Sequence, residues 1–265
     1  MRIFDKFLRI RELGIFSIII IVVIAASIID SRFLTIDSWR AVFLAIPLIL
    51  VMAMGQMMVI ICRHVDISIG SILAFAAITI GFVFIHYPNT SLFMALLITA
   101  SVGTIMGLVN GIIVTRFNVH SIIVTLGTLS LYRGLVFIVS GGRQIDRNDI
   151  PVHIISFSQT SFLFSIPAIL ILSVIIVLIT HLIMRHSVLG REIYATGSNP
   201  EAAHLKGINV TKVTLFCFGV CGMLAGVAGL FYASRFGYVN PGVTGVGIEF
   251  IVIAGVIIGG TSITG

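Results

Sequence analysis

Charge is what this sequence lacks most. Lys and Arg number 16 and Asp and Glu 10 in 265 residues, so 10% of the chain is charged against 58% hydrophobic. Mean hydropathy is +1.18. A soluble domain carries roughly 25% charged residues, and no water-soluble fold could bury this much apolar surface. Much of the solvent must be lipid. The formal charge of +6 does not make a nucleic-acid-binding face. The basic residues are spread over short connections between apolar runs, which is the pattern of membrane topology.

Chemical signatures are missing too. No G-x-x-x-x-G-K-[ST] occurs, so the chain has no phosphate cradle of its own, and energy for transport would have to come from a partner. No metal-ligand cluster, G-x-S-x-G elbow or H-E-x-x-H occurs either, which argues against an intramembrane enzyme. No acid falls at the middle of a candidate span, where a proton relay needs an ionisable group, and this disfavours a proton-coupled carrier. Cys62, Cys217 and Cys221 lie in or beside apolar stretches and read as small hydrophobes. Cys217 and Cys221 share a helix face, but no His or acid accompanies them.

What is present is a series of apolar runs. A spanning helix needs about 20 apolar residues, and on that ruler the candidates are 14–29, 41–62, 68–87, 91–115, 119–139, 161–184, 212–233 and 247–265. The opening "MRIFDKFLRIRELG" resembles the basic region of a signal peptide, but no cleavage site and polar mature domain follow, so the first run is a retained span. With the N-terminus inside, the inner segments hold Arg2, Lys6, Arg9, Arg11, Arg63, Arg116, Arg185, Arg191, Lys206 and Lys212. The outer segments hold Arg32, Arg40, Arg143, Arg147 and Arg235, with Arg133 inside a span. Ten against five predicts a cytoplasmic N-terminus and a cytoplasmic 185–211 segment. The expected fold is an all-α polytopic bundle of about eight spans, a single membrane domain over 1–265.

Two spans carry glycine faces: Gly103, Gly107 and Gly111 in one, and Gly219, Gly222, Gly226 and Gly229 in the other. Lipid gives no hydrophobic drive for helix association, so small residues that let backbones approach mark packing helices. A faint echo links "VIICRHVDISIG" from Val59 with "VIIGGTSITG" from Val256, as internal repeats in transporters do.

The polar stretch "YATGSNPEAAHLKGINVTK", 194–212, lies between two of the most apolar runs. Ser198 with Glu201 fits a capping box, and Asn199 as N-cap before Pro200 fits nearly as well; Gly207 closes the helix. A helix this short is marginal alone, so it must dock, either against its own bundle or into a cytoplasmic partner.

Here the residues carry a resemblance. "GREIYATGSNPEAAHLKGINVTKV", with "VDISIGSI", "VNGIIVTRF", "IVTLGTLSLYRGL" and "VIIGGTSITG" in the same order and spacing, resembles ABC importer permeases of the ribose, xylose and rhamnose type, a family that includes autoinducer-2 permeases. The resemblance implies that Glu201, Ala202, Ala203, His204 and Gly207 belong to a loop, 185–211, coupling to a cytoplasmic ATPase. It implies import of a monosaccharide or of autoinducer 2, a second permease copy, an extracytoplasmic binding protein, and no cofactor or metal in this chain, ATP being hydrolysed by the partner. The different-class rivals are a stand-alone secondary carrier or channel and a structural membrane scaffold.

This sequence departs from the family at His64-Val65, where Gly-Ile usually precedes the Asp, and at His120, where Pro usually stands. The chain ends at Gly265 inside the family's glycine-rich segment, so by resemblance about two further spans would follow. Candidate pathway or gate residues are Asp66, Thr125, Thr128, Arg133 and Glu249. Asp66 either caps a helix or serves a gate or ATPase contact. Arg133 either reaches outward past Ser140 or lines the path with the Thr125 and Thr128 hydroxyls. Glu249, by resemblance a fixed family feature, meets the binding protein or helps seal the outer gate.

Overall fold

The computed structural model describes residues 11–159, 161–162 and 166–262. Nearly all regular structure is helical: α1 (Arg11–Ile29), α2 (Ile36–Ile61), α3 (Ile69–His86), α4 (Leu92–Phe117), α5 (Ser121–Ser140), α6 (Val152–Gln159), α7 (Ala168–His186), α8 (Val188–Ser198), α9 (Pro200–Leu205), α10 (Val210–Phe236) and α11 (Ile248–Ile258). A two-residue antiparallel pairing, β1 (Ser161–Phe162) with β2 (Ile166–Pro167), precedes α7. Among the described residues six helices, α2, α3, α4, α5, α7 and α10, are long and apolar enough to cross a membrane, and Gly14–Ile29 and Ile248–Ile258 are shorter apolar helices.

Contacts divide the chain into Met1–Ala45 and Ile46–Gly265, with α2 running through the boundary. In the first unit α1 exposes Ile18, Ile21, Ile28 and Ile29, as a lipid-facing helix does. Asp30 turns the chain after it by accepting the Arg32 N–H at 2.9 Å and pairing with its guanidinium. Phe33, Trp39 and Phe43 then stack in sequence at 6.0 and 6.3 Å.

In the second unit α10 is the axis and the most buried span. Its glycines explain why. A Cβ on Gly222 would collide with the Gly103 carbonyl oxygen of α4, one on Gly226 with the Thr99 carbonyl oxygen, and one on Gly229 would sit 2.6 Å from the Leu73 carbonyl oxygen of α3. Gly107 meets the Phe218 carbonyl oxygen, and Gly111 the Phe218 and Leu215 side chains. Gly219 faces Leu108, and Gly55 of α2 lies against the Cys221 backbone. Backbone-to-backbone contact on several sides is possible because α10 carries so little side chain there. Around this axis, Ser71 of α3 donates to the Leu129 carbonyl of α5 at 2.9 Å, and Ser158 of α6 to the Ser234 carbonyl of α10 at 2.9 Å.

Three sequence expectations need correction. The run 161–184 is not helical from its start: residues flanking 163–165 pair as β1 and β2, and α7 begins at Ala168. Pro167 has no N–H and an extended backbone (φ −61°, ψ 138°), which stops the helix from reaching further back. The run 247–265 is helical only over Ile248–Ile258; Gly259 and Gly260, the latter at φ +105°, turn the chain away, and 263–265 lie outside the described residues. The 185–211 segment holds two helices rather than one. Ser187 caps α8 by accepting the Gly190 N–H at 2.9 Å, and Ser198 is its last residue.

Candidate functional site

At the end of α2 the backbone leaves the helix through Arg63 in the left-handed region (φ +64°). It then crosses to α3 as a short connection carrying Asp66 and Ser68. This corner is dry: Asp66 and Ser68 are fully buried. The Asp66 carboxylate accepts from the Ser68 N–H at 2.9 Å, from the Ser68 hydroxyl at 2.7 Å and from the Asn110 amide of α4 at 3.3 Å. The Gln56 amide of α2 spans the Asp66 backbone, its partners N–H and C=O each 3.2 Å away. Tyr132 of α5 donates both to the Met106 carbonyl at 2.9 Å and to the Asn110 side-chain oxygen at 3.2 Å. A buried carboxyl persists only when its polar atoms are satisfied, and here Asn110 of α4 bonds the Asp66 side chain, Gln56 of α2 its backbone, and Tyr132 of α5 reaches Asn110.

Gln56, Asn110 and Tyr132 escaped the sequence reading. The signal for the first two was available, since each is a lone polar residue inside a span, where polar groups are costly and face the interior. Thr125 and Thr128 lie beside this corner and are buried. Thr125 bonds the Ser121 carbonyl at 2.9 Å and the Val65 carbonyl at 3.3 Å, and Thr128 bonds the Thr125 carbonyl at 3.4 Å.

Further along α5, the Arg133 guanidinium donates to the Thr244 carbonyl at 2.6 Å and the Pro241 carbonyl at 3.4 Å. That fastens the segment between α10 and α11, which is also tied by Asn240 to Gln144 at 2.8 Å and by the Ile145–Val239 bridge. Glu249, only 6% exposed in the first turn of α11, has its carboxylate against Gly70, where a Cβ would collide with it. Asp66 and Glu249 therefore bracket the first turn of α3, whose free N–H groups favour negative charge.

The segment after α7 is fastened to the Asp66 corner. Gly197 of α8 approaches so closely that a Cβ would strike the Ile61 carbonyl oxygen. Arg63 donates to the Ser198 carbonyl at 2.6 Å. α9 then starts at once: the Asn199 side chain accepts the Ala202 N–H at 3.0 Å, with Pro200 in the first turn. Asn199, not Ser198, is the cap. Gly207 at φ +85° closes α9, and the Ile208 N–H returns to the Ala203 carbonyl at 3.1 Å. Ala203 faces inward, while Glu201, Ala202, His204 and Leu205 are exposed, Leu205 by 87%.

The cysteine pattern gains a member from tertiary structure: the Cys62 and Cys217 sulfurs lie 3.6 Å apart, both buried. Among the described residues no group of three or more His, Cys, Asp and Glu comes together. His64, half-buried, tilts over the Phe218 ring at 5.9 Å, and burial together with the neighbouring His120 pushes its pKa below the usual histidine value.

An all-α bundle with six described helices long and apolar enough to cross a membrane is that of a polytopic membrane protein. The sequence pattern of a family described as "Branched-chain amino acid transport system / permease component" matches residues 39–265, and the chain belongs to that family. The Autoinducer 2 import system permease protein LsrC of Yersinia pseudotuberculosis serotype O:3 is 34% identical over 238 residues, covering 90% of this chain and 66% of that protein. LsrC of Yersinia enterocolitica is 34% identical over 90% of this chain and 64% of its own length, and LsrC of Yersinia pestis (strain Pestoides F) over 90% and 66%. This chain thus spans a little less than two thirds of those relatives. No solved structure matches it. Family and helices together make it a multi-pass inner-membrane protein.

Proposed function

We propose that the chain is the membrane-spanning subunit of an ABC import system, moving a small hydroxylated solute inward with energy from a partner ATPase. The observation that carries this reading is the attachment of α9. Its outer face, with Glu201, His204 and Leu205, is free for a cytoplasmic partner, and its base is held through Ser198 to Arg63. Three residues beyond Arg63 lies Asp66, bonded to α4 and linked through Asn110 to α5. A displacement of α9 by a closing ATPase pair is delivered to the corner where α2, α3, α4 and α5 meet. Such a corner, dry and fully bonded, favours discrete arrangements over gradual deformation, as alternating access requires.

Two copies side by side, with a pathway between them and a binding protein outside, complete the system in this reading. The chain itself makes no covalent change to its cargo. That cargo is a monosaccharide of the ribose, xylose or rhamnose kind or autoinducer 2; the likeness to autoinducer 2 permeases supports the second, and the resemblance in the loop supports both equally. Uptake of each labelled compound by cells carrying the complete import system separates them.

The experiment for the coupling itself is Glu201→Arg combined with Leu205→Asp, followed by co-purification with the ATPase and by solute uptake. Loss of both is expected. Unchanged association and uptake would return the secondary-carrier reading.

A further inference from the structure

We infer that the inner end of the bundle carries a binding site for a small phosphate-class oxyanion, in the cavity lined by Arg63, His64 and His120. This inference does not rest on the transport reading. The cavity, about 410 Å³, opens between the connection after α2, the α4–α5 connection and the start of α10. That volume holds a phosphate ester with its immediate water.

Its chemistry is one-sided. Arg63 contributes a guanidinium, His64 and His120 two imidazoles and Asn118 an amide, and none of the described lining residues is acidic. Arg63 has five N–H donors, of which the Ser198 carbonyl takes one. The fork that remains suits an oxyanion better than it suits any other class of ligand. The start of α5 borders the same space: His120, its N-cap, makes no side-chain bond to the first turn, and Ser121 follows it in the lining. Both non-glycine residues with positive φ among the described residues, Arg63 and Asn118, lie in this lining.

The groups facing His64 set the pH response. They are His120 across the cavity, Arg63 beside it in the chain and the uncharged Phe218 ring on α10. Burial and His120 hold His64 below its usual pKa. A bound oxyanion favours the imidazolium, so binding takes up protons and tightens as pH falls. An occupied site ties the Arg63 connection to α5 and α10 and stiffens the corner that carries α9.

The test is saturable binding of inorganic phosphate, followed by ³¹P NMR, to the whole chain in phosphatidylcholine nanodiscs. Sulfate is the competitor because its charge is fixed between about pH 6 and 8, which isolates the protein's own protons. The expected result is saturation, sulfate competition that strengthens toward pH 6, and about tenfold weaker binding in Arg63→Gln and in His64→Asn/His120→Asn, as the loss of charge-assisted bonds gives. Arg63→Gln also removes the Ser198 bond, so His120→Gln, an exposed side chain without a cap bond, is the second variant: it keeps the fold and weakens phosphate binding several-fold, whereas the pH dependence goes only when His64 is replaced as well. Nanodiscs of phosphatidylglycerol distinguish the source: displacement of phosphate there makes a lipid headgroup the occupant, and no displacement makes it a free phosphate compound. Phosphate that fails to saturate, or that binds the His120→Gln and double-His variants as tightly as the parent, overturns the site.

Discussion

The Arg63 guanidinium holds the Ser198 carbonyl at 2.6 Å across 135 residues of sequence. Through that bond the last residue of α8, and the N-cap of α9 that follows it, are anchored to the corner between α2 and α3. A neutral residue there keeps the helices but lets them slide. Arg63→Met is therefore expected to lower solute-stimulated ATPase activity of the assembled system while leaving α8 helical, with a stability loss of only about 0.5–1 kcal/mol because the bond is exposed. Unaltered coupling at normal expression would separate this bond from transmission.

Asp66 and Asn110 form the second link. Asn110→Leu leaves a buried carboxyl short of a donor and is expected to destabilise the chain by about 1.5–3 kcal/mol, as loss of a hydrogen bond to a charged group does. Asp66→Asn keeps the shape and most bonds and costs less. Thermal unfolding in detergent ranks the two, and the opposite order would mean that Asp66 is not held as a carboxylate.

Helix packing gives a third expectation. Gly107→Leu and Gly226→Leu place side chains where carbonyl oxygens lie and should prevent recovery of folded protein, since overpacking costs at least about 1–3 kcal/mol even at forgiving sites. Phe93→Leu, at a residue 68% exposed, should be mild. Gly134→Ala, where a Cβ meets no neighbour within 4 Å, should stabilise α5 by up to about 1 kcal/mol. Equal tolerance at Gly107 and Phe93 would remove the packing argument.

Sidedness is checked at Ser198, which is exposed. In a background with Cys62, Cys217 and Cys221 replaced, Ser198→Cys should react with a membrane-impermeant maleimide only after cells are opened. The structure brings the connections holding Arg63, His120 and Ser198 to one end and those holding Gln144, His153 and Asn240 to the other, as alternate crossing requires. Labelling from outside would invert the assignment of ends.

Arg133 supplies a fourth structural test. Arg133→Leu frees the Pro241 and Thr244 carbonyls, and hydrogen exchange should rise across 240–247 while α10 stays protected. No change there would show that Asn240 and the Ile145–Val239 bridge hold the segment alone.

The sequence by itself determined the solvent, the number and order of apolar helices, the glycine faces and the presence of α9, while its cap, Asn199 rather than Ser198, was decided by the structure. Each feature so determined depends on spacing along one chain segment: a run long enough to cross lipid, a four-residue glycine repeat, an Asn-Pro step. It missed the hairpin before α7, because Pro167 was counted as one more apolar residue rather than as a helix limit. It also read Asp66 without its partners. Gln56, Asn110 and Tyr132 come from three different helices, and their meeting depends on how closely α10 lets α2, α3 and α4 approach. The same holds for His64 and His120, 56 residues apart in sequence, whose shared cavity exists only once the α4–α5 connection lies beside the end of α2. Local periodicity encodes which face a helix hides; which polar groups then face one another is decided by packing distance, and that is set by residues elsewhere in the chain.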